Sequence, residues 1–282
     1  MPENKIRVTA IQRLCVNDGP GVRTVVFLKG CYLHCPWCCN PEAIHYNGDV
    51  YFEGDKCKYP EKNKICQNCE LFGGLKSREH CPIGAFEKTY KDYSVDELFE
   101  LLMRDSSLYK RGGGVTFSGG EPLCQAEELE PLLSKLRREK IHVALETTLF
   151  APTNQYHLIQ DYVDYWLIDL KFQYGYIKNT DFCIDECHFK INLEDFQKKQ
   201  NDHVYRIVVM KENLQNKELI IEKLLSCNID TIELLPYHSL AENKYKKLKK
   251  TFHKFASPSV LEMENLQKAL IEKGIICNMQ KI

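Results

Sequence analysis

Thr24-Val25-Val26-Phe27-Leu28-Lys29-Gly30-Cys31-Tyr32-Leu33-His34-Cys35-Pro36-Trp37-Cys38 runs from a β-rich segment straight into a loop carrying three cysteines. Residues 24–29 have the β-branched and aromatic character of a buried strand. Gaps of three residues and then two place three thiols on one tight loop just past the strand end, where parallel sheets present their functional loops. Five more β-rich runs follow, at 115–118, 142–147, 165–171, 204–210 and 231–235. Helical patterns separate them. Ser94 with Glu97 three residues on forms a capping box opening a helix over 95–105. Others cover 125–139, 217–227 and 261–273, the last stopped by Gly274. Alternation of strand and helix predicts an α/β fold with a parallel sheet. Six such units predict a partial (β/α)6 barrel, shorter than the eight-stranded form.

The 282 residues suffice for one large domain with a small insertion. Residues 45–90 break the alternation and are rich in Cys, Lys, Gly and Asn, which reads as an inserted module between barrel segments 1–44 and 91–282. Residues 172–203 are too polar for assignment. Net charge is -1, so no global field draws the chain to nucleic acid or an anionic membrane. The first nine residues lack the apolar core of a signal peptide, and no run of about 18 apolar residues occurs, so a cytoplasmic protein is expected.

Cysteine is the outlier, with 14 in the chain. In a reducing compartment, closely spaced cysteines point to metal or catalytic sites rather than disulfides. Cys31, Cys35 and Cys38 are one short of a closed four-cysteine site. An iron–sulfur cluster on three thiolates leaves one iron free for a small chelating molecule. A zinc site completed by His34 or Cys39 is the alternative. Cys57, Cys66, Cys69 and Cys81 form a second set in the insertion. Cys15, Cys39, Cys124, Cys183, Cys187, Cys227 and Cys277 are scattered and read as free thiols.

The spacing Cys31-x3-Cys35-x2-Cys38, with Trp37 before the third cysteine, resembles the signature of the radical S-adenosylmethionine (SAM) superfamily. Asp18-Gly19-Pro20-Gly21-Val22-Arg23-Thr24 before the loop and Asn40-Pro41-Glu42 after it narrow the resemblance to the glycyl radical enzyme activating enzymes, the pyruvate formate-lyase activase group. The resemblance implies a [4Fe–4S] cluster that binds SAM and cleaves it reductively to methionine and a 5′-deoxyadenosyl radical. That radical takes hydrogen from a glycine Cα of a partner glycyl radical enzyme, after reduction by a flavodoxin- or ferredoxin-type donor. It also implies anaerobic chemistry and a ferredoxin-like insertion.

The other strand ends carry polar motifs. Ser118-Gly119-Gly120-Glu121-Pro122 has paired glycines that let a ligand approach, with amides able to hydrogen-bond it. Pro122 opens a helix, and Glu121 is expected mainly to brace the turn. Glu146 and Thr147 end the next strand. A carboxylate buried there needs a partner, either SAM-site chemistry or a structural ion pair. The family commonly has Gly where this chain has Leu149. Asp169 and Lys171 share one face of their strand, as an internal salt bridge or, by the resemblance, at the methionyl part of SAM. Arg206 and His238 match residues that approach SAM in the family, against readings as a strand-edge arginine and a structural histidine. The implied cofactor-binding set is Trp37, Cys39, Gly119, Gly120, Glu121, Glu146, Thr147, Asp169, Lys171, Arg206 and His238. These motifs gather at strand ends, which form one face of a parallel barrel.

Cys81-Pro82 resembles the close of a bacterial ferredoxin motif. One auxiliary [4Fe–4S] cluster is expected there, with a zinc knuckle as alternative. Residues 243–254 read as a solvated lysine-rich helix face, or as a docking surface. Two rival functions remain at this stage: a radical SAM enzyme acting on a small molecule or peptide, and a non-catalytic iron–sulfur or zinc electron-transfer protein.

Overall fold

The structure is a computed structural model that describes residues 5–57, 81, 84–172 and 186–279. Its strands are β1 (Ile6–Cys15), β2 (Arg23–Leu28), β3 (Val50–Phe52), β4 (Phe86–Lys88), β5 (Lys91–Tyr93), β6 (Gly114–Gly119), β7 (His142–Thr147), β8 (Tyr165–Asp169), β9 (His203–Val209), β10 (Thr231–Pro236) and β11 (Ile276–Met279). The helices are α1 (Val95–Met103), α2 (Ser106–Tyr109), α3 (Ala126–Arg138), α4 (Thr153–Ile159), α5 (Glu186–Lys198), α6 (Lys211–Leu214), α7 (Lys217–Ser226), α8 (Glu242–Leu248) and α9 (Val260–Glu272).

The main sheet runs β11-β10-β9-β8-β7-β6-β2-β1-β5. From β2 to β11 every pairing is parallel. β1 and β5 add antiparallel strands beyond β2, and β5 and β11 are the two edges of an open sheet. All six expected strands are present, and they form the partial barrel. β2 and β6 are buried along nearly their whole length, as strands covered on both faces require. The α1 capping box forms as read, with Ser94 and Glu97 exchanging hydrogen bonds of 2.8 and 3.2 Å. Leu129, Leu132, Leu133 and Leu136 of α3 are fully buried.

Two sequence expectations are corrected. The polar stretch 172–203 contains α5, whose Phe189, Leu193 and Phe196 reach the core. Residues 243–254 are solvated on one side only, with Asn243, Lys246, Lys249 and Lys254 exposed. Lys244, Lys247 and Lys250 are paired with Glu42, Glu53 and Asp49. Within residues 45–90, β3 and β4 form an antiparallel pair, while Cys66 and Cys69 lie outside the described residues. Among the described residues no helix is long and apolar enough to cross a membrane.

The Asp18–Thr24 motif has a structural role. It joins β1 to β2 and therefore lies at the N-terminal end of the barrel strands. Arg23 is 1 % exposed, and burial lowers its pKa to about 10. Its guanidinium donates to the hydroxyl of Thr116 (2.6 Å) and to the carbonyls of Val115 (2.6 Å) and Pro20 (2.9 Å). Thr116 in turn donates to the Asp18 carbonyl at 2.6 Å, and Arg206 to the Asn17 carbonyl at 2.7 Å. The loop thus closes the end of the barrel remote from the cysteines. Gly21 has φ +68°, and a Cβ there would lie 2.4 Å from the Gly112 carbonyl oxygen. Gly21→Ala is expected to lower the unfolding free energy by about 2 kcal/mol or more, read as a lower urea midpoint at unchanged slope.

Candidate active site

The cysteine loop is pinned at its base. Gly30 and Cys31 donate their amides to the carbonyls of Ala43 (2.7 Å) and Ile44 (2.9 Å), and within the loop Cys38 N–H donates to the Cys35 carbonyl at 3.0 Å. A short 3-10 helix, Pro41–Ala43, turns the chain back. Cys31, Cys35 and Cys38 stand around one cavity of about 260 Å³. Burial pushes the Cys31 thiol well above its ordinary value and raises Cys35 to about 11 and Cys38 to about 12. Bare thiols would therefore stay protonated, and thiolates here need a cationic partner.

The strand ends complete the cavity. Gly119 ends β6 with Gly120 just past it, Glu146 and Thr147 come from β7, Asp169 ends β8 with Lys171 two residues on, and His238 comes from the segment after β10. Trp37 and Cys39 line it from the cysteine loop. Of the residues singled out from sequence, Glu121 and Arg206 do not line it. His34 does not either; it packs edge-on against His45 at 5.1 Å. Ser118, Thr148 and Tyr237 line the cavity and were not singled out. Ser118 sits in the quoted glycine motif, so its position beside the pair was the available signal.

The glycine pair works differently from the sequence expectation. The Gly120 amide is committed to the Leu28 carbonyl at 2.9 Å. A Cβ on Gly120 would lie 2.1 Å from the Gly30 carbonyl oxygen. The residue is glycine because β6 and the cysteine loop touch there, and that amide is not available to a ligand. Glu121 is fully buried, and its amide donates to the Gly30 carbonyl at 2.7 Å. Its carboxylate accepts from the Thr147 hydroxyl (2.6 Å) and from the Thr148 hydroxyl (2.7 Å) and amide (2.8 Å). Burial raises its pKa against the pull of these hydrogen bonds. The bracing role is met in full.

Leu149, the departure from the family's usual glycine, adopts φ +59° with its side chain fully buried. Its carbonyl and that of Ala151 both accept from the buried Asn192 amide at 2.9 Å. α5 thereby holds a backbone conformation that costs a branched side chain about 1–2 kcal/mol.

The acidic and basic groups are paired across strands. Glu146 accepts from the Ser118 hydroxyl and lies 3.7 Å from Arg206, which also donates to Glu233 at 2.8 Å. Burial raises the Glu146 pKa even so. Asp169 and Lys171 form an ion pair at the cavity wall. Desolvation works against the Lys171 charge, but Asp169 and Cys35 outweigh it and the pKa is raised. The second Asp169 oxygen, Oδ1, is buried with no hydrogen-bond partner.

The comparisons with known proteins agree with this geometry. A family described as "4Fe-4S single cluster domain" matches residues 17–200. The 4-hydroxyphenylacetate decarboxylase activating enzyme of Clostridioides difficile (strain 630) is 33% identical, over 95% of this chain and 93% of that protein. The pyruvate formate-lyase 2-activating enzyme of Escherichia coli (strain K12) is 32% identical, over 95% and 90%. Among solved structures, QueE from Escherichia coli matches with a TM-score of 0.54 over 99% of this chain and 95% of that one; at 13% identity it shows the fold alone.

The chain belongs to the glycyl radical enzyme activating enzymes of the radical SAM superfamily.

An activating enzyme of this family uses a [4Fe–4S] cluster and SAM to place a glycyl radical on a partner enzyme. The residues present fit both groups. Among the described residues no three His, Cys, Asp or Glu side chains meet at the spacing of a single bound ion. The three thiols surround one cavity, which leaves room for a group larger than a single ion. The unpartnered Asp169 oxygen and the Lys171 ammonium offer an acceptor and a donor for an amino acid's two charged ends. Glu121→Gln is expected to destabilise this activating enzyme by about 2 kcal/mol, because its amide nitrogen would have to face the donors of either Thr147 or Thr148, which bond different carboxylate oxygens. Urea unfolding monitored by circular dichroism checks it.

Proposed function

We propose that Cys31, Cys35 and Cys38 hold the SAM-binding [4Fe–4S] cluster, and that Asp169, Lys171, Gly119, Gly120 and His238 hold SAM in the adjoining cavity. The observation that carries this reading is the buried, unpartnered Asp169 oxygen beside Lys171, in the same cavity as the three thiols. When bound, the cluster and SAM supply a one-electron reduction of the sulfonium that ends in methionine and a radical able to abstract hydrogen.

The protein's own contribution is placement and dryness. Asp169 accepts the SAM ammonium on its free oxygen, while Lys171, kept charged by Asp169, meets the carboxylate. Gly119 and Gly120 allow close approach and present carbonyl rather than Gly120 N–H. Trp37, buried behind the loop, holds Cys38 against the cavity. Glu146 and Thr147 form the wall toward β7. Arg206 acts through Glu146, and Glu121 through Thr147 and Thr148. Trp37 and Cys39 contribute contact rather than ligation. The hydrogen donor is a glycine Cα of the partner enzyme, reached through the open C-terminal face.

In the insertion we assign Cys57, Cys66, Cys69 and Cys81 to one auxiliary [4Fe–4S] cluster. The Glu53 amide donates to the Ala85 carbonyl at 2.8 Å. Cys57 lies four residues after Glu53, and Cys81 four before Ala85. Both are free and half-buried. The module suits electron entry from a flavodoxin- or ferredoxin-type donor in the cytoplasm.

Anaerobically reconstituted protein given dithionite and SAM is expected to form 5′-deoxyadenosine and methionine, and Cys35→Ala to reduce both to background by chromatographic assay. Zinc at the loop in anaerobically purified protein would refute the assignment. Cys66→Ser is expected to remove about half of the cluster iron while leaving an electron paramagnetic resonance signal that SAM still perturbs. Unchanged iron content would exclude the auxiliary cluster.

A further inference from the structure

Among the described residues, no hydrogen-bonded ladder joins the two ends of the six-strand arc. β2 pairs with β1 and β6, and β10 with β9 and β11. Yet the loops leaving these two strands line the same cavity. Cys38, Cys39 and Asn40 come from one, Tyr237 and His238 from the other. The separation between the cysteine loop and the His238 segment is therefore not set by the sheet.

The chain after β10 spans that gap. Lys244 of α8 donates to the Asn40 side-chain oxygen at 2.8 Å and to the Glu42 carboxylate at 2.6 Å. Lys247 meets Glu53 at 2.7 Å. Lys250 donates to Asp49 at 3.1 Å and to the Pro41 carbonyl at 3.3 Å. Below these ion pairs, Phe255 lies edge-on to both Trp37 (6.2 Å) and Tyr237 (5.8 Å). The acidic side of the seam is itself anchored. Lys29, at the end of β2 and 0 % exposed, donates to the Glu42 carbonyl and to the Thr89 hydroxyl and stands 3.7 Å from Asp49. Ion pairs that keep contact with water contribute little, and the half-buried Lys247–Glu53 and Lys250–Asp49 pairs are of that kind. Glu42 differs, being 6 % exposed. Its carboxylate is largely desolvated, so loss of the facing cation leaves a buried charge short of a partner.

We propose that residues 242–255 form a strap that fixes the cysteine loop against the His238 side of the cavity, with Lys244 as its positioning residue. Lys244 grips Asn40 and Glu42, two and four residues past Cys38, and touches neither cluster nor SAM. This rests on the reading of the cavity as the cluster and SAM site, since only then does the loop's position bear on the reaction. Lys244 then governs how well SAM is held at once from the cysteine loop and from the His238 segment.

The test uses anaerobically reconstituted full-length protein carrying Lys244→Met, Lys244→Arg, Glu42→Gln, or Lys244→Met with Glu42→Gln. In Lys244→Met, amide hydrogen exchange is expected to quicken roughly fivefold in residues 39–46 and 237–248 together, with β7 and β8 unchanged and iron content retained. The KM for SAM is expected to rise roughly fivefold with a smaller change in kcat. Lys244→Arg restores most of both effects, and the double variant is no worse than the worse single one. Faster exchange confined to α8, with the KM for SAM as in the unaltered protein, would overturn the proposal. Absence of SAM turnover in the unaltered protein would overturn the reading of the cavity instead. The exchange result does not depend on turnover, so the two failures stay distinct.

Discussion

Glu121 is the point on which the C-terminal face of the barrel depends. Its amide holds the Gly30 carbonyl at the root of the cysteine loop, while its carboxylate gathers the Thr147 and Thr148 donors at the end of β7. One fully buried residue therefore joins the ends of three neighbouring strands. A carboxylate in that position would be costly without donors, so the turn after β7 cannot drift without exposing the cost. Gly120 next to it has no room for a side chain. Contact between β6 and the cysteine loop, rather than ligand approach alone, dictates the glycine.

The barrel interior obeys the same rule of paired polar groups. Glu146, Glu233 and Arg206 satisfy one another, with Ser118 completing Glu146. Asn17 and Asp18, at the start of the loop between β1 and β2, supply the carbonyls that cap Arg206 and Thr116 from below. At the cavity wall, Asp169 keeps its second oxygen buried without a partner although Lys171 occupies the first. Buried polar atoms are almost always hydrogen-bonded. An acceptor left open at the cavity wall beside an ammonium group has room for a donor from a bound ligand. The proposed seating of an ammonium-bearing ligand rests on that acceptor.

Much of this was legible in the sequence where the pattern is local. The six barrel strands read clearly because strands covered on both faces are continuous apolar runs. The α1 capping box and the cysteine loop are short-range signatures of the same kind. β1 was not legible because it is an outer antiparallel strand with a mostly exposed second half. β5 and β11 are three and four residues long, too short for any period. α5 was hidden by its charged outer face. The lysines of residues 243–254 looked solvated because their acids, Glu42, Asp49 and Glu53, lie about 200 positions away. The direction of the Gly120 amide likewise depends on a strand pairing that no single segment encodes.

The open arc explains why side chains rather than backbone bridge its two ends. A closed parallel barrel fixes every strand-end loop through continuous ladders, and its mouth is then only as wide as the ring allows. A partial barrel leaves its first and last strands free of each other, which gives room for a segment of a partner protein at the C-terminal face. The same freedom would let the cysteine loop and the His238 segment move independently. Half-buried ion pairs and an edge-on aromatic contact restrain two loops at far lower cost to break than a ladder of backbone hydrogen bonds. Glu42, buried beneath Lys244, supplies the one strong fastening in an otherwise yielding seam. A fold that must admit a protein substrate and still hold three thiols at fixed positions has reason to combine an unclosed sheet with a restraint of this graded kind.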